Sequence, residues 1–369
     1  MKTIVVLGAG LVGKAMALDL AHDYAVTVAD INPVNLKPLR NQNIKTIEID
    51  LSQPENIKTV VQEAALVIGA IPGFMGFDTL KTVIEAGKPI VDISFFDEDP
   101  FTLDQLAKEK NVTAIVDCGV APGMSNAILG YHNARMTVNR FECYVGGLPH
   151  VRTQPYEYKA PFSPLDVIEE YTRPARWVEH GKLVTQPALS EPELMEFEGI
   201  GTLEAFNTDG LRSLLKTMNI PYMKEKTLRY PGHRRLVEIL RETGFFRKDE
   251  IEVRGTRVRP LDVTAQLLFP IWQLQPEDEE FTVMKVRLEG EGKILEYNLL
   301  DRYDPLTRTR SMARTTGYTA TVTARLVLDG HFQRKGISPP EFIGTDENCF
   351  QRLLAGLAER GVYYHVTTR

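Results

Sequence analysis

The 369-residue sequence lacks the features that mark several protein classes. No apolar run reaches the roughly 18–20 residues that a membrane-spanning helix requires. The chain start, Lys2 followed at once by TIVVLGAG, lacks the longer apolar stretch and cleavage site of a secretory signal. The net charge of −6 disfavours the dense basic surface that nucleic-acid binding requires. We therefore expect a cytoplasmic globular protein with no nucleic-acid or membrane partner.

Cysteine is also scarce, with only Cys118, Cys143 and Cys349. Their odd number and wide spacing suit neither a disulfide framework nor a zinc site. No group of His, Cys or carboxylate residues has the spacing of metal ligands, so we expect no metal. Cys143 and Cys349 are expected to be buried as small apolar residues.

The first 120 residues do contain a regular alternation of two patterns. Short apolar runs typical of strands are Ile4–Leu7, Val26–Val28, Thr46–Ile49, Leu66–Ile71, Ile90–Ile93 and Thr113–Val116. Helix-like stretches between them are Leu11–His22, Pro33–Arg40, Pro54–Ala64, Phe77–Ala86 and Thr102–Lys110. Apolar strands that are each followed by a helix predict a parallel sheet covered on both faces. Right-handed crossovers then give a doubly wound, Rossmann-type α/β sheet.

The pattern changes after about residue 125. Alternating stretches between 251 and 300, such as FTVMKVRLEG and KILEYNLL, predict an antiparallel sheet within an α+β domain. SMARTTGYTATVTARLVLDG (311–330) predicts a long helix that ends at Gly330 and packs closely through small residues such as Gly317. We therefore expect a dinucleotide-binding domain over 1–124 and a substrate and oligomerisation domain over 125–310. A C-terminal segment over 311–369 is expected to return to the first domain.

A glycine fingerprint follows the first predicted strand. It reads Gly8-Ala9-Gly10-Leu11-Val12-Gly13 and opens the first predicted helix. The first glycine permits a tight turn, the second lets a pyrophosphate approach the backbone, and the third allows close packing of helix on strand. The second strand ends in Asp30, 22 residues after Gly8. A carboxylate there accepts hydrogen bonds from a ribose diol and repels a 2′-phosphate, and no arginine adjoins it. The pattern predicts NAD rather than NADP.

Residues after the later strands are further candidates for contact with the cofactor, because ligands bind outside the carboxyl ends of parallel strands. These candidates are Asp50, Leu51, Ala70, Ile71, Pro72, Ser94, Cys118, Gly119 and Val120. Asp50 could meet the adenine amino group or could equally be the N-cap of the helix beginning at Pro54. Cys118 could be packing or could handle a proton. Gly119 and Gly123 are expected to permit a turn that exposes backbone donors.

Six segments together resemble the saccharopine dehydrogenase family, and most closely its lysine 6-dehydrogenase branch. They are DCGVAPGMSNAILG (117–130), YVGGLP (144–149), YKAPFSP (158–164), NTDGLRSLL (207–215), KTLRYPGH (226–233) and SMARTTGYTATVTARLVL (311–328). The resemblance implies a Rossmann domain joined to an α+β substrate domain. It also implies NAD-dependent oxidation of the ε-amine of L-lysine to the 6-semialdehyde, which cyclises, with release of ammonia.

Two departures bear on the choice of branch. Saccharopine reductases carry Asp-Pro-Gly where this chain has Ala121-Pro122-Gly123. They also carry Asn-Arg-Asp where this chain has Asn207-Thr208-Asp209. The arginine helps to hold the larger, doubly acidic substrate, so its replacement by Thr208 favours a substrate such as lysine.

The chemistry of an amine dehydrogenase suggests the catalytic candidates. Arg229 could clamp a substrate carboxylate in a bidentate pair or could be a surface arginine. The substrate ammonium must lose a proton before it gives up hydride, so a base is required. The candidates for these tasks are Asp92, Tyr158, Lys159, Asp209, Arg229 and His233. His233 could instead be structural, and Lys159 is expected to make a hydrogen-bond or charge contact.

Three functions remain open on the sequence alone. The first is lysine deamination with NAD, the second is a saccharopine-type or carboxyamine-forming reductase, and the third is a catalytically silent dinucleotide-binding homologue. Two-domain dehydrogenases are usually symmetric oligomers, so a homodimer or homotetramer is expected.

Overall fold

The computed structural model describes residues 1–275 and 277–369. Its chain forms two compact units. The first comprises Met1–Thr137 and Met312–Tyr364, and the second comprises Val138–Ser311 and His365–Arg369. The first unit therefore continues past the predicted boundary at 124, and the last five residues belong to the second unit rather than returning to the first.

The first 120 residues alternate strands and helices as predicted, and one further helix that was not predicted follows them. The strands are β1 (Thr3–Leu7), β2 (Ala25–Asp30), β3 (Lys45–Glu48), β4 (Leu66–Gly69), β5 (Ile90–Asp92) and β6 (Thr113–Ile115). The helices are α1 (Leu11–Leu20), α2 (Pro33–Leu36), α3 (Pro54–Val61), α4 (Gly73–Glu85), α5 (Asp104–Glu109) and α6 (Met124–Asn133). Helix α4 begins four residues before the predicted Phe77, because Pro72 provides an extended N-cap for it.

The second unit contains the next strands and helices. Its strands are β7 (Arg140–Pro149), β8 (Ala175–Glu179), β9 (Lys182–Gln186), β10 (Glu193–Phe197), β11 (Gly201–Asn207), β12 (Tyr222–Arg229), β13 (Ile251–Val253), β14 (Thr256–Val258), β15 (Glu280–Gly290) and β16 (Lys293–Arg302). Its helices are α7 (Pro164–Thr172), α8 (Leu214–Thr217), α9 (His233–Thr243) and α10 (Pro260–Trp272). The prediction of an antiparallel sheet over 251–300 is correct for β15 and β16 but wrong for α10.

The C-terminal segment contributes to both units. It contains α11 (Ser311–Leu328), β17 (Gly336–Ser338), α12 (Pro340–Thr345), α13 (Glu347–Glu359) and β18 (His365–Thr368). Gly317 lies against α1, where a Cβ would approach the Met16 side chain to 3.0 Å. The backbones of α6 and α12 are equally close, since a Cβ at Gly130 would lie 2.1 Å from the Glu341 carbonyl oxygen. This packing explains why α6 belongs to the first unit.

The sheet of the first unit has seven strands in the order β17-β6-β5-β4-β1-β2-β3, and all neighbours are parallel. The prediction of a doubly wound parallel sheet is confirmed. Strand β17 was not predicted and extends the sheet beyond β6. Side chains such as Val67, Leu80 and Ile90 form a buried apolar cluster in this unit.

The second unit contains a mixed sheet of nine strands. Its main path is β10-β11-β12-β7-β15-β16-β18, and β8 pairs with β12 and β9. Strands β12 and β7 are parallel, whereas β7, β15 and β16 form antiparallel pairs. One apolar cluster of this unit contains Tyr171, Phe206, Val237 and Trp272 from α7, β11, α9 and α10.

The three cysteines are all buried, which confirms the expectation for Cys143 and Cys349. Within the described residues, no helix is both long and apolar enough to cross a membrane.

Candidate active site

The strand order of the first sheet reverses between β1 and β4. The N–H of Ala70, just after β4, donates to the Leu7 carbonyl at the end of β1 at 2.9 Å. A Cβ at Gly8 would lie 2.3 Å from the Ala70 carbonyl oxygen. Ligands of doubly wound sheets bind at this reversal point. The structure therefore brings the glycine fingerprint together with the segment Ala70-Ile71-Pro72.

The three fingerprint glycines differ in what surrounds them. Gly8 has a φ of +101°, and a Cβ at Gly13 would lie 2.1 Å from the Gly8 carbonyl oxygen. These two glycines are required by the fold itself. A Cβ at Gly10, in contrast, would meet nothing within 4 Å. Gly10 is also the N-cap of α1 and provides no side-chain cap, so the helix end is open to an anion. This loop fits the pyrophosphate of a dinucleotide.

The Asp30 carboxylate also accepts two backbone hydrogen bonds that the sequence did not predict. One carboxylate oxygen accepts from the Ala9 N–H at 2.6 Å, and the other accepts from the Asn32 N–H at 2.7 Å. The buried carboxylate therefore fixes the fingerprint loop as well as standing at the position predicted for ribose contact.

Two roles were predicted for Asp50: contact with the adenine amino group, or the N-cap of the helix that begins at Pro54. Its carboxylate accepts from the Ser52 N–H at 2.9 Å, and the N-cap of α3 is Gln53. The interpretation of Asp50 as the N-cap is therefore wrong. Leu51 and Ile71 are buried apolar residues at their strand ends.

Asp92, Ser94 and Cys118 form a buried group at the ends of β5 and β6. The Asp92 carboxylate accepts from the Ser94 N–H at 3.1 Å and from its hydroxyl at 3.0 Å. Gly69 leaves the space for this carboxylate, because a Cβ there would lie 2.0 Å from Asp92 Oδ1. Burial raises the pKa of the Cys118 thiol to about 12. Cys118 is therefore a packed thiol rather than a residue that handles protons at neutral pH.

Two backbone N–H groups in the turn that follows Cys118 donate to nearby protein oxygens. The Gly119 N–H donates to the Pro122 carbonyl at 3.0 Å, and the Gly123 N–H donates to Asn126 Oδ1 at 3.2 Å. The turn requires glycine, because Gly123 has a φ of +139° and a Cβ there would lie 1.8 Å from the Gly119 carbonyl oxygen. That the turn exposes other backbone donors stays a prediction. Val120 is buried beside the two glycines.

Arg229 is the centre of a polar cluster in the second unit. It ends β12 and is only 3% exposed, so the interpretation as a surface arginine is wrong. Its Nε donates to the Tyr171 hydroxyl at 2.9 Å, and its Nη2 donates to Glu170 at 3.0 Å. Its Nη1 donates to the Leu228 carbonyl at 2.9 Å. Its Nη2 also lies 3.5 Å from the Tyr158 hydroxyl.

These contacts limit how Arg229 can hold a substrate. A guanidinium has five N–H donors, and four are directed at the protein groups just described. One N–H on Nη1 is left without an acceptor among the described residues. The bidentate clamp predicted from the sequence needs two N–H groups without protein acceptors, so it is not available in this arrangement.

His233 accepts a hydrogen bond in the same cluster. Its Nδ1 lies 2.9 Å from the Tyr156 carbonyl oxygen and must donate to it, so Nε2 accepts from the Tyr171 hydroxyl at 3.0 Å. Burial, followed by the nearby Arg229 charge, lowers the pKa of His233 to about 3. The imidazole is therefore neutral at neutral pH and too weak a base to keep a proton taken from an ammonium.

The remaining catalytic candidates are also restricted. Both carboxylate oxygens of Asp209 accept from Arg176, at 2.8 and 2.7 Å. Burial raises the pKa of the Tyr158 hydroxyl well above its usual value of 10.0. Lys159 directs its amine to the Gln273 carbonyl at 3.3 Å on the surface, in agreement with a simple hydrogen-bond contact.

Sequence reasoning missed Glu225, which is buried on β12. Its carboxyl accepts from the Thr208 hydroxyl at 2.7 Å, and that hydroxyl lies 2.8 Å from the Thr227 hydroxyl. Burial raises the pKa of Glu225 to about 8, and the negative charges of Glu170 and Asp209 add to the increase. Alternation along β12 places residues 225, 227 and 229 on one face, which was the available signal.

The structure thus groups Tyr158, Arg229 and His233 with two residues that were not predicted, Glu170 and Tyr171. Glu225, also not predicted, lies four residues before Arg229 on the same face of β12 and is close enough to Glu170 for the two charges to interact. Asp92 belongs to the first unit, and Asp209 lies beside Glu225. Within the described residues, no group of three or more His, Cys, Asp or Glu side chains could hold a metal ion.

The parallel sheet and its glycine loop define the class of the protein: it carries a dinucleotide-binding domain of the type found in oxidoreductases. Residues 4–115 match the description "Saccharopine dehydrogenase NADP binding domain", and residues 119–362 match "Saccharopine dehydrogenase C-terminal domain". The chain belongs to the saccharopine dehydrogenase family.

Individual relatives are distant. Saccharopine dehydrogenase [NADP(+), L-glutamate-forming] of Pyricularia oryzae is 26% identical over 68% of this chain and 59% of its own length. Alpha-aminoadipic semialdehyde synthase of Arabidopsis thaliana is 25% identical over 59% of this chain and 22% of its own. The chain therefore spans less than two thirds of either relative. The solved structure of apo saccharopine dehydrogenase (L-Glu forming) from Saccharomyces cerevisiae matches with a TM-score of 0.78 at 20% identity, covering 100% of both chains, and shares the fold.

Replacing Gly10 with valine is expected to weaken dinucleotide binding at least tenfold without lowering the melting temperature. The new side chain enters space that no protein atom occupies, so it opposes the ligand and not the fold. Titration with NADH fluorescence and thermal denaturation measure the two effects.

Gly13→Val is the matched comparison. Its Cβ meets the Gly8 carbonyl oxygen, so it should lower stability as well as binding. A Gly10→Val protein that binds dinucleotide as tightly as the parent would contradict the assignment of the loop.

Proposed function

We propose that this protein oxidises the side-chain amine of L-lysine with NAD. The ε-carbon loses a hydride and its nitrogen loses a proton, which gives an imine. Water adds to the imine, ammonia leaves, and the resulting 6-semialdehyde cyclises to piperideine carboxylate. NAD, when bound, accepts the hydride. Tyr158, Arg229 and the residues around them would hold the amino acid.

Thr208 is the observation that carries the choice of substrate. Its hydroxyl bonds to Glu225 and lies beside Thr227, so this position adds no positive charge to the cluster. The family resemblance places an arginine here in enzymes that hold a doubly acidic substrate. Arg229 has one N–H without an acceptor among the described residues and is already paired with the carboxylate of Glu170. This arrangement suits a substrate with one carboxylate better than a substrate with two.

Glu225 is the residue best suited to receive the substrate's proton. A base is most effective when its pKa lies near the working pH, and the pKa of Glu225 is about 8. His233, with a pKa of about 3, is less suited. So is Asp209, whose two carboxylate oxygens accept from Nε and Nη2 of Arg176. We therefore place the proton acceptor at Glu225, with Thr208 fixing its carboxyl.

Asp30 supports NAD over NADP, because a buried carboxylate at the end of β2 opposes a 2′-phosphate. Asp30→Ala is expected to reduce the ratio of kcat/KM with NAD to that with NADP by at least tenfold. The same change removes an acceptor from the Ala9 N–H, so a stability loss of about 1–3 kcal/mol should accompany it.

Asp30→Asn separates the two effects. It keeps an oxygen for the Ala9 N–H but removes the charge, so the cofactor preference should fall while stability changes less. An unchanged preference in both variants would refute this function of Asp30.

A saccharopine-type or carboxyamine-forming reduction with NAD(P)H is the second candidate function, and the names of the relatives favour it. Initial rates distinguish the two candidates. Purified protein is supplied with lysine, with saccharopine and with a panel of other amines, each with NAD and with NADP. The reverse direction is supplied with NADPH or NADH plus an aldehyde and an amine.

NADH formation with lysine alone supports the first proposal. Turnover only with saccharopine, or oxidation of NADPH only when aldehyde and amine are both present, supports the second. Dinucleotide binding by thermal shift without turnover of any substrate would mean a catalytically silent homologue.

A further inference from the structure

Helix α11 packs along helix α1 and runs in the same direction. Near the start of α1, a Cβ at Gly317 would lie 3.4 Å from Val12 Cγ1 and 3.0 Å from Met16 Cγ. Further along, Arg325 donates to the Asp19 carboxylate at 2.8 Å, close to the end of α1. The residues around Gly317 therefore stand beside the first turns of α1, the helix whose open N-terminus fits a pyrophosphate.

Thr316, which precedes Gly317, faces the turn that follows β6. A Cβ at Gly119 would lie 3.2 Å from Cγ2 and 3.7 Å from the hydroxyl oxygen of Thr316. The Cys118 N–H donates to the Asp92 carbonyl at the end of β5, at 3.0 Å, so Gly119 lies at the carboxyl edge of the sheet. Ligands of parallel sheets bind outside this edge. Thr316 is also partly exposed, so its side chain is accessible there.

The Thr316 hydroxyl has only a weak partner. A threonine within a helix usually donates to a carbonyl three or four residues earlier. Thr315, Thr319 and Thr321 of α11 do so, at 3.4, 2.8 and 3.3 Å. Thr316 instead donates to the Met312 sulfur at 3.5 Å, and a thioether is a weak acceptor. Among the described residues this hydroxyl has no other partner, so it is available to a ligand.

The order of the strands indicates which half of a dinucleotide would lie near Thr316. Each half of a doubly wound sheet binds one mononucleotide, on either side of the reversal point. Asp30, at the end of β2, stands on the side of the adenosine ribose. Strands β4, β5 and β6 lie on the other side, so the nicotinamide nucleoside would lie over their carboxyl ends. Thr316, beside Gly119, belongs to that side.

We propose that the Thr316 hydroxyl forms a hydrogen bond with the nicotinamide nucleoside of a bound dinucleotide. Its partner on the ligand is a ribose hydroxyl or the carboxamide, since both groups can donate and accept. Helix α11 then completes a cofactor site that the glycine loop begins, although the two are far apart in the sequence. The inference rests on the dinucleotide binding that the proposed function requires. It is independent of the amine substrate and of the choice between NAD and NADP.

Thr316→Val removes the hydroxyl and keeps the shape of the side chain. We expect it to raise the Kd for NADH about three- to tenfold, as is typical for the loss of one hydrogen bond. Thr316→Ser keeps the hydroxyl and should bind NADH nearly as tightly as the parent. Thr319→Val is the matched control on the same helix, because that buried hydroxyl donates to the Thr315 carbonyl and should not affect NADH. Titration of NADH fluorescence measures Kd, and thermal denaturation without ligand shows that each variant is folded.

Two fragments of the dinucleotide locate the contact. ADP-ribose keeps the nicotinamide-side ribose but lacks the nicotinamide, and ADP lacks both. If Thr316→Val weakens NADH and ADP-ribose, the hydroxyl bonds to the ribose. If it weakens NADH alone, the hydroxyl bonds to the carboxamide. Both results support the proposal. An equal loss for ADP, or a Kd for NADH unchanged from that of the parent, would overturn it.

The same titrations separate this inference from the proposed function. If the parent binds NADH without oxidising lysine, the proposed substrate is wrong, while a weaker affinity of Thr316→Val for NADH still supports the contact. If the parent oxidises lysine and Thr316→Val binds NADH as tightly as Thr319→Val, the contact alone is wrong. A parent that binds neither NADH nor NADPH would contradict both.

Discussion

Arg229→Met is expected to lower the free energy of unfolding by about 3–5 kcal/mol, because it leaves the partner of a buried ion pair uncompensated. Glu170 loses its cation, and Tyr171 and Tyr158 lose the hydrogen bonds of the guanidinium. The guanidinium also lies 4.7 Å from the centre of the Tyr158 ring, and that contact disappears. Turnover should fall below detection, and urea denaturation gives the stability.

Two further variants identify the cause. Glu170→Gln combined with Arg229→Met removes both charges and should recover a large part of the lost stability. Arg235→Met is the surface control, since that side chain is 67% exposed and pairs with Glu238. Its effect should stay within about 0.5 kcal/mol. Equal losses for Arg229→Met and Arg235→Met would contradict the assigned burial.

Glu225→Gln is expected to stabilise the protein at alkaline pH. The pKa of Glu225 is raised from 4.5 when unfolded to about 8 when folded, so the folded state holds the proton more tightly. The stabilisation is complete below pH 4.5 and is lost as the pH rises through 8. The parent protein loses about 1.4 kcal/mol per pH unit over this range from this one group. Glutamine resembles the protonated form and does not titrate.

The difference in unfolding free energy between Glu225→Gln and the parent should therefore be small at pH 4.5. It should grow to roughly 3–5 kcal/mol above pH 8. Denaturant titrations at a series of pH values measure it, and groups that titrate equally in both proteins cancel. A difference independent of pH would refute the raised pKa.

The same variant tests the proposed proton acceptor separately. In the parent protein, kcat/KM for the amine should increase with pH up to about 8 and then level off. Glu225→Gln should lose most activity and this pH dependence. If the stability difference follows pH but the activity profile is unchanged, another group accepts the proton and the burial of Glu225 still holds.

The first sheet was predictable from the sequence because each strand and helix is specified by a local pattern. Gly8, Gly13 and Asp30 combine that pattern with turn chemistry, so the cofactor loop was predictable too. Helix α10 was missed because Val263 and Leu267 are apolar where the exposed face of an amphipathic helix would be polar. Strand β17 was missed because its partner lies far away in the chain, and local patterns carry no signal of such pairing.

The second-unit cluster was only partly predictable. Arg229, Tyr158 and His233 belong to motifs with a family resemblance. The pairing of Arg229 with Glu170, and the burial of Glu225, depend on which strands and helices pack together. The spacing of residues in a sequence does not reveal a pKa. The structure was therefore needed to show that His233, a candidate base, is a neutral hydrogen-bond acceptor.

Strand β17 pairs with β6 across about 220 residues of intervening chain. A ribosome releases β6 long before Gly336, so β6 remains an open sheet edge while Val138–Ser311 of the second unit are made. Open edges promote pairing between chains, and proteins usually protect them. We infer that nascent chains of this protein pass through a stage in which the β6 edge is exposed. Truncation before residue 336 would leave this edge open permanently, so the truncated chain should aggregate rather than fold into a less active protein. Protection of that edge by a chaperone would matter more during synthesis than after it.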